Sequence, residues 1–257
     1  MNLITPDDAL LIGLIFTRVV AMMLSFPLLN TTMIPTNIRI LLVVAIAFYI
    51  KTLLNMSVNI EEYDFLVLFL LVLKELFIGF SLGLLVNIFI SAFSYAAEII
   101  SYFMGLTIVN IFDPAFGQIS ILNKFFILLF YLMFFITQSH HYVIGSMVMS
   151  FDLIDPVSLH INEGIWKFII EKSSIIFMLG FQIAFPFALI LFILNIALAL
   201  INRLIPQINV FIVGLPMQIF AGLAAMAFGS SVIVYMSVTI LQRLGEDYVG
   251  IIKNIGF

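Results

Sequence analysis

The chain has 257 residues, of which 64% are hydrophobic and only 9% charged, with a formal net charge of −4. A soluble domain is about 45–50% apolar and about 25% charged, so an ordinary soluble enzyme is excluded and an integral membrane protein is expected. Ten scattered Lys and Arg residues do not make the clustered basic surface that nucleic acid requires. Without any cysteine there is no disulfide, thiolate metal site or cysteine nucleophile.

The stretch Met1 to Asp8 is acidic and lacks the basic start of a cleavable leader, so the first apolar segment is expected to be retained. Six apolar segments follow, roughly 9–29, 40–54, 65–97, 125–150, 173–201 and 210–241. Spanning a bilayer takes about 20 apolar residues. The second segment is short, and the third is too long for one straight span. Turn chemistry separates them: Asn30 to Pro35, Asn55 to Asp64, Asp113-Pro114 to Gly117, and the long polar connector Asp152 to Lys172. No segment alternates with the period of a strand, so an all-α membrane protein is expected. Lys and Arg divide five to three between the two sides of a six-span arrangement, which sets no orientation.

The third segment carries a stripe of small and polar residues. Gly79, Gly83, Asn87, Ser91, Ser94, Ala97, Glu98, Ser101 and Gly105 fall within a sector of roughly 120° at helical spacing. Gly79-xxx-Gly83 lets two helix backbones approach closely. From Glu75 to Gly105 a single helix would run roughly 45 Å, against a hydrocarbon core of about 30 Å. The segment is therefore either a broken pair or part of a tall packed assembly.

Arg18, Arg39, Glu75, Glu98, Asp113 and Arg203 lie in or beside apolar text. Such groups face a bundle interior or a wet cavity and serve either packing or an ion path; packing is the expectation here. Glu75 directly follows Lys74, which suggests a position at the membrane interface. His140 and His141 are expected on different sides of a helix, at a polar helix end rather than in a metal site. No phosphate-binding glycine loop and no catalytic constellation stands out, so neither enzyme activity nor a cofactor is expected.

The most informative stretch runs from Arg203 to Pro216, a polar, proline-bearing break between two segments free of charge. Irregular backbone at membrane depth must be sheltered by protein or water. A secondary transporter would use such a break to bind a solute, and Asp113-Pro114 is then the candidate matching break. An export or assembly protein would shelter it with neighbouring subunits.

The motifs favour the second reading. Pro35 with Arg39, Glu75-x3-Gly79-x3-Gly83, Glu98 with Gly105, Asp113-Pro114 with Gly117, Phe185-Pro186 to Asn195, and Asn202-Arg203 with Pro206, Gln207, Asn209, Phe211, Gly214 and Pro216 occur in order. In that order they resemble the FliR family of flagellar type III export-gate proteins and their virulence-secretion counterparts. Ala97, Ser101 and Ala199 depart from positions where the family often has glycine, but keep those sites small.

The resemblance implies tilted helical hairpins in an export gate, with a FliP-like part at 1–160 and a FliQ-like hairpin part at 161–257. It implies a non-catalytic subunit that joins FliP and FliQ around a closed conduit for unfolded proteins in the bacterial inner membrane, at the flagellar basal body, among membrane lipids. FlhB and FlhA are the further partners implied. Glu75, Gly79, Gly83, Glu98 and Gly105 are expected at subunit packing. Ile108, Asp113, Pro114 and Gly117 are expected at the plug beside the lumen. Arg203, Pro206, Gln207, Asn209, Phe211, Gly214 and Pro216 are expected at a hairpin bend that meets a partner. There Pro206 and Pro216 would fix the turn, and Arg203 would pair with a carboxylate or with helix-end carbonyls.

Overall fold

In the computed structural model of the chain, the described residues are 6–26, 35–54, 64–107, 120–159, 164–205 and 210–256. Among them the helices are α1 Pro6–Ser25, α2 Thr36–Leu53, α3 Phe65–Phe103, α4 Ile121–Ile136, α5 Ser139–Leu153, α6 Gly164–Ser173, α7 Ile175–Leu204, α8 Val210–Phe228 and α9 Ser230–Gly256. The described residues contain no strand. This is an all-α membrane protein, because a backbone in lipid must satisfy its own N–H and C=O groups and a helix does so locally. Among the described residues, four stretches are long and apolar enough to cross a membrane, or six if each of two broken helix pairs counts as one.

The pairs are α4–α5 and α8–α9. Each was expected as one uninterrupted segment. The first breaks at Gln138, which takes a left-handed conformation at φ 57°, and the second at Gly229, whose N–H still bonds the Ala225 carbonyl at 2.8 Å. One or two residues are enough to break a helix but too few to interrupt an apolar run. The third segment is a single helix of 39 residues, about 58 Å at 1.5 Å per residue. Of the two alternatives for that segment, the broken pair is ruled out.

Two compact units interleave along the chain. The first comprises Met1–Ile88, Gln138–Ser173 and Arg243–Phe257. It holds the α1–α2 pair, the start of α3, α5, α6 and the end of α9. The Asp8 carboxylate meets Lys51 Nζ at 2.8 Å between α1 and α2, and Lys172 meets Asp247 at 2.7 Å between α6 and α9. Tyr248, wholly buried on α9, donates its hydroxyl to the Leu82 carbonyl of α3 at 2.8 Å.

The second unit comprises Phe89–Thr137 and Ser174–Gln242. Its core is aromatic, with Phe93 edge-on to Phe130 and Phe103 edge-on to Phe192. Gly180 of α7 lets that helix close on α3, since a Cβ there would meet the Ala92 carbonyl at 2.8 Å. The expected division at residue 160 is one of resemblance to two other proteins, which compactness does not address.

Candidate functional site

Three buried charged groups of the first unit, Arg18, Lys74 and Glu75, converge where α1 meets α3. The two helices run parallel there. Successive contacts pair Glu75 with Arg18, Gly79 with Arg18 and Ala21, and Gly83 with Met22 and Ser25. A Cβ on Gly79 would overlap the Arg18 carbonyl, and one on Gly83 would overlap the Ser25 hydroxyl. That approach lets Ser25 Oγ reach the Phe80 carbonyl of the facing helix at 3.3 Å. The small-residue motif therefore makes its close contact within this chain.

Arg18 and Glu75 are fully buried. Arg18 Nε donates to Glu75 Oε2 and Nη2 to Oε1 at 2.9 Å, a two-pronged pair. Arg18 Nη1 donates to the Ser150 carbonyl at 2.8 Å and to its hydroxyl at 3.0 Å, and Nη2 also reaches the Ile154 carbonyl at 3.2 Å. All five guanidinium donors are thus used. The Phe151 ring lies 3.9 Å from the guanidinium carbon.

Lys74 completes the cluster from the same turn of α3. Its Nζ donates to the carbonyls of Asp155, Pro156 and Ser158 at 2.8, 2.9 and 2.8 Å, and lies 3.0 Å from Glu75 Oε1. Two cations and one anion leave an excess positive charge. That excess faces the last turn of α5 and the chain leaving it, where helical carbonyls have no intrahelical donor and the helix dipole is negative. Within the chain Lys74 is 3% and Glu75 0% exposed. Arg18 and the α5 end supply the partners that this burial demands. A cluster with every donor engaged holds helices in register and offers no free nucleophile or base.

The second unit has its own polar seam. Phe103 ends α3, and Gly105 follows at φ +74°, with its N–H bonding the Tyr102 carbonyl at 3.1 Å. Asn195 of α7 donates to the freed Phe103 carbonyl at 3.3 Å, and Gln218 of α8 donates in turn to Asn195 Oδ1. In the last turn of α3, Ser101 and the α4 cap Ser120 bond through their hydroxyls at 2.7 Å. Asn123 Nδ2 donates to Glu98 Oε1 at 3.1 Å.

Thus Glu75, Gly79 and Gly83 are brought together with Arg18 in one unit, whereas Glu98 and Gly105 belong to the other. Ile108, Asp113, Pro114 and Gly117 lie outside the described residues, as do Pro206, Gln207 and Asn209, and with them the proposed matching break of a transporter. The Arg203–Pro216 break is shorter than expected. Arg203 sits in the last turn of α7, while Phe211, Gly214 and Pro216 belong to α8. Pro216 therefore does not fix the turn; it leaves the Ile212 carbonyl without its helical donor. Arg203 is exposed and makes no ion pair among the described residues. At a helix C-terminus the dipole already favours its charge.

His140 and His141 open α5, as a polar helix end should, but their rings lie 4.2 Å apart rather than on different sides. Both sit in the first turn, where no preceding turn separates them. Sequence reading missed the roles of Lys74, Ser150, Gln218 and Tyr248. Lys74 had a detectable signal, a lysine deep in an apolar run; the carbonyls it caps had none.

The chain matches the family described as bacterial export proteins, family 1, over residues 9–244. It is 33% identical to the flagellar biosynthetic protein FliR of Aquifex aeolicus over 227 residues, covering 87% of this chain and 86% of that protein. The FliR proteins of Bacillus subtilis and Escherichia coli are 31% and 29% identical, over 80% and 82% of this chain and 80% of each relative. Membrane-length helices, ordered motifs and a likeness running nearly end to end agree, and the chain belongs to the FliR family of bacterial export proteins.

Proposed function

We propose that this chain is a non-enzymatic subunit of the flagellar type III protein export gate. It joins FliP and FliQ around the closed conduit through which unfolded flagellar substrates leave across the inner membrane, and it meets FlhB and FlhA. The observation that carries this reading is the likeness to flagellar FliR proteins over most of both chains. Their names also favour a flagellar system over a virulence one.

The polar chemistry supports a scaffold: its buried groups bind one another and helix-end carbonyls. Exposed large apolar side chains such as Phe65, Phe220 and Phe228 require lipid or protein cover. Residues 1–160 take the FliP-like place and 161–257 the FliQ-like one. Glu75, Gly79, Gly83 and Gly105, expected at subunit packing, are buried within the chain and bear on assembly only through the helix positions they set. Ile108, Asp113, Pro114 and Gly117 stand near the lumen, and the stretch from Arg203 to Pro216 meets a partner at the hairpin bend.

The test is affinity purification of the tagged chain from native membranes. FliP and FliQ are expected to co-purify, and deletion is expected to abolish export of flagellar subunits. A stable monomer that never recovers either partner would overturn the reading.

A further inference from the structure

Glu98 differs from Glu75 in one respect that matters in a membrane-spanning helix. Glu75 is closed in by Arg18 and Lys74. Glu98 is partly exposed on the same helix, and among the described residues its one polar partner is the Asn123 amide. Holding it there engages an N–H of the amide and leaves Asn123 Oδ1 buried with no donor of its own. The chain thus orients this carboxylate at the cost of an unsatisfied group.

No cation of the described residues lies within ion-pair distance of Glu98. Lys124, next to Asn123, is exposed and unbridged to it. The connecting stretch 108–119 carries neither Lys nor Arg. An unpaired carboxylate facing lipid is unfavourable, and such groups face protein or water and find a partner.

We propose that Glu98, positioned by Asn123, receives a basic side chain, Arg or Lys, from a neighbouring subunit of the assembly. Charge complementarity selects this occupant. One carboxylate and one amide offer too few oxygens for a hard divalent ion, which takes six or more, whereas a guanidinium or ammonium needs only the free carboxylate edge. The inference rests on the export-gate reading and adds to it the chemistry of one contact.

The experiment recovers the tagged chain with its partners from membranes, unaltered and as Glu98→Lys and Glu98→Gln. Glu98→Lys is expected to lower partner recovery at least tenfold and Glu98→Gln several-fold. The folded yield of the chain alone should hold, since no cation of the described residues depends on Glu98. An acidic replacement of one basic residue in a partner should restore recovery with Glu98→Lys. Undiminished recovery with both variants sinks the contact, leaving Glu98 facing lipid or water. If Glu98→Lys fails to fold, Glu98→Gln decides, and unchanged recovery with it overturns the proposal. An unaltered chain that recovers no partner sinks the export-gate reading and this contact with it.

Discussion

Arg18 of α1 grips Glu75 of α3 through two separate N–H groups, and neither side chain reaches solvent. Removing one partner of a buried pair strands the other and costs about 3–5 kcal/mol. Arg18→Ala and Glu75→Ala are each expected to destabilise the detergent-solubilised chain by about that much. The pair differs from an isolated ion pair, because Arg18 also supplies donors to the Ser150 and Ile154 carbonyls. Replacing both residues by leucine is therefore expected not to restore stability. Thermal unfolding of the three variants checks this, and full recovery in the double variant would show that the carbonyl contacts contribute little.

The α1–α3 approach makes a second prediction. Alanine at Gly79 or Gly83 puts a Cβ into backbone or side chain of α1, an overpacking that costs about 1–3 kcal/mol. Leucine should prevent folding of the first unit and abolish recovery of the assembled complex. Gly13, on α1, has nothing within 4 Å of its would-be Cβ. Gly13→Ala is the control, expected to be neutral or slightly stabilising because alanine favours a helix. Protease resistance of the three alanine variants, read side by side, separates close contact from helix propensity.

Lys74 is a cation used as a helix-end cap. Its three carbonyl contacts come from Asp155, Pro156 and Ser158, which are nearly consecutive in the chain. Lys74→Met keeps the apolar stem and strands those acceptors, each at about 1–3 kcal/mol where water cannot reach. Lys74→Arg is expected to fail as well. The planar guanidinium cannot direct its donors as a compact ammonium does. Hydrogen exchange at residues 154–158 should rise in both variants, and an unchanged exchange rate in Lys74→Arg would contradict the geometric argument.

Much of this arrangement was legible in the sequence because membrane burial leaves a coarse signal. The length of α3, the glycine pair and the ionisable outliers Arg18 and Glu75 all stand out against apolar text. What stayed hidden has three physical sources. Backbone acceptors such as the Ser150 and Pro156 carbonyls have no residue signature, so the role of Lys74 was unreadable. Breaks of one or two residues, such as those at Gln138 and Gly229, vanish in an apolar average. A proline such as Pro216 reads as a turn, although apolar helices accommodate it. Lys74 beside Glu75 is visible in the sequence, but Arg18 closing over Glu75 and leaving Glu98 without a cation of the described residues is not.

The end of α3 offers the last prediction. Gly105 takes φ +74°, and a Cβ there would lie 2.8 Å from Leu215 Cδ2 and 2.9 Å from Gln218 Oε1. Gly105→Ala adds left-handed strain of about 1–2 kcal/mol and displaces Gln218, which orients Asn195 toward the Phe103 carbonyl. Gln218→Ala should remove the same orientation without the strain, and so destabilise less. Because both changes act on Asn195, adding Asn195→Ala to Gly105→Ala should cost less than the two single effects summed. Urea or thermal unfolding of the single and double variants measures the coupling. Strict additivity would mean that Gly105 acts through its backbone alone and that Gln218 does not transmit the change.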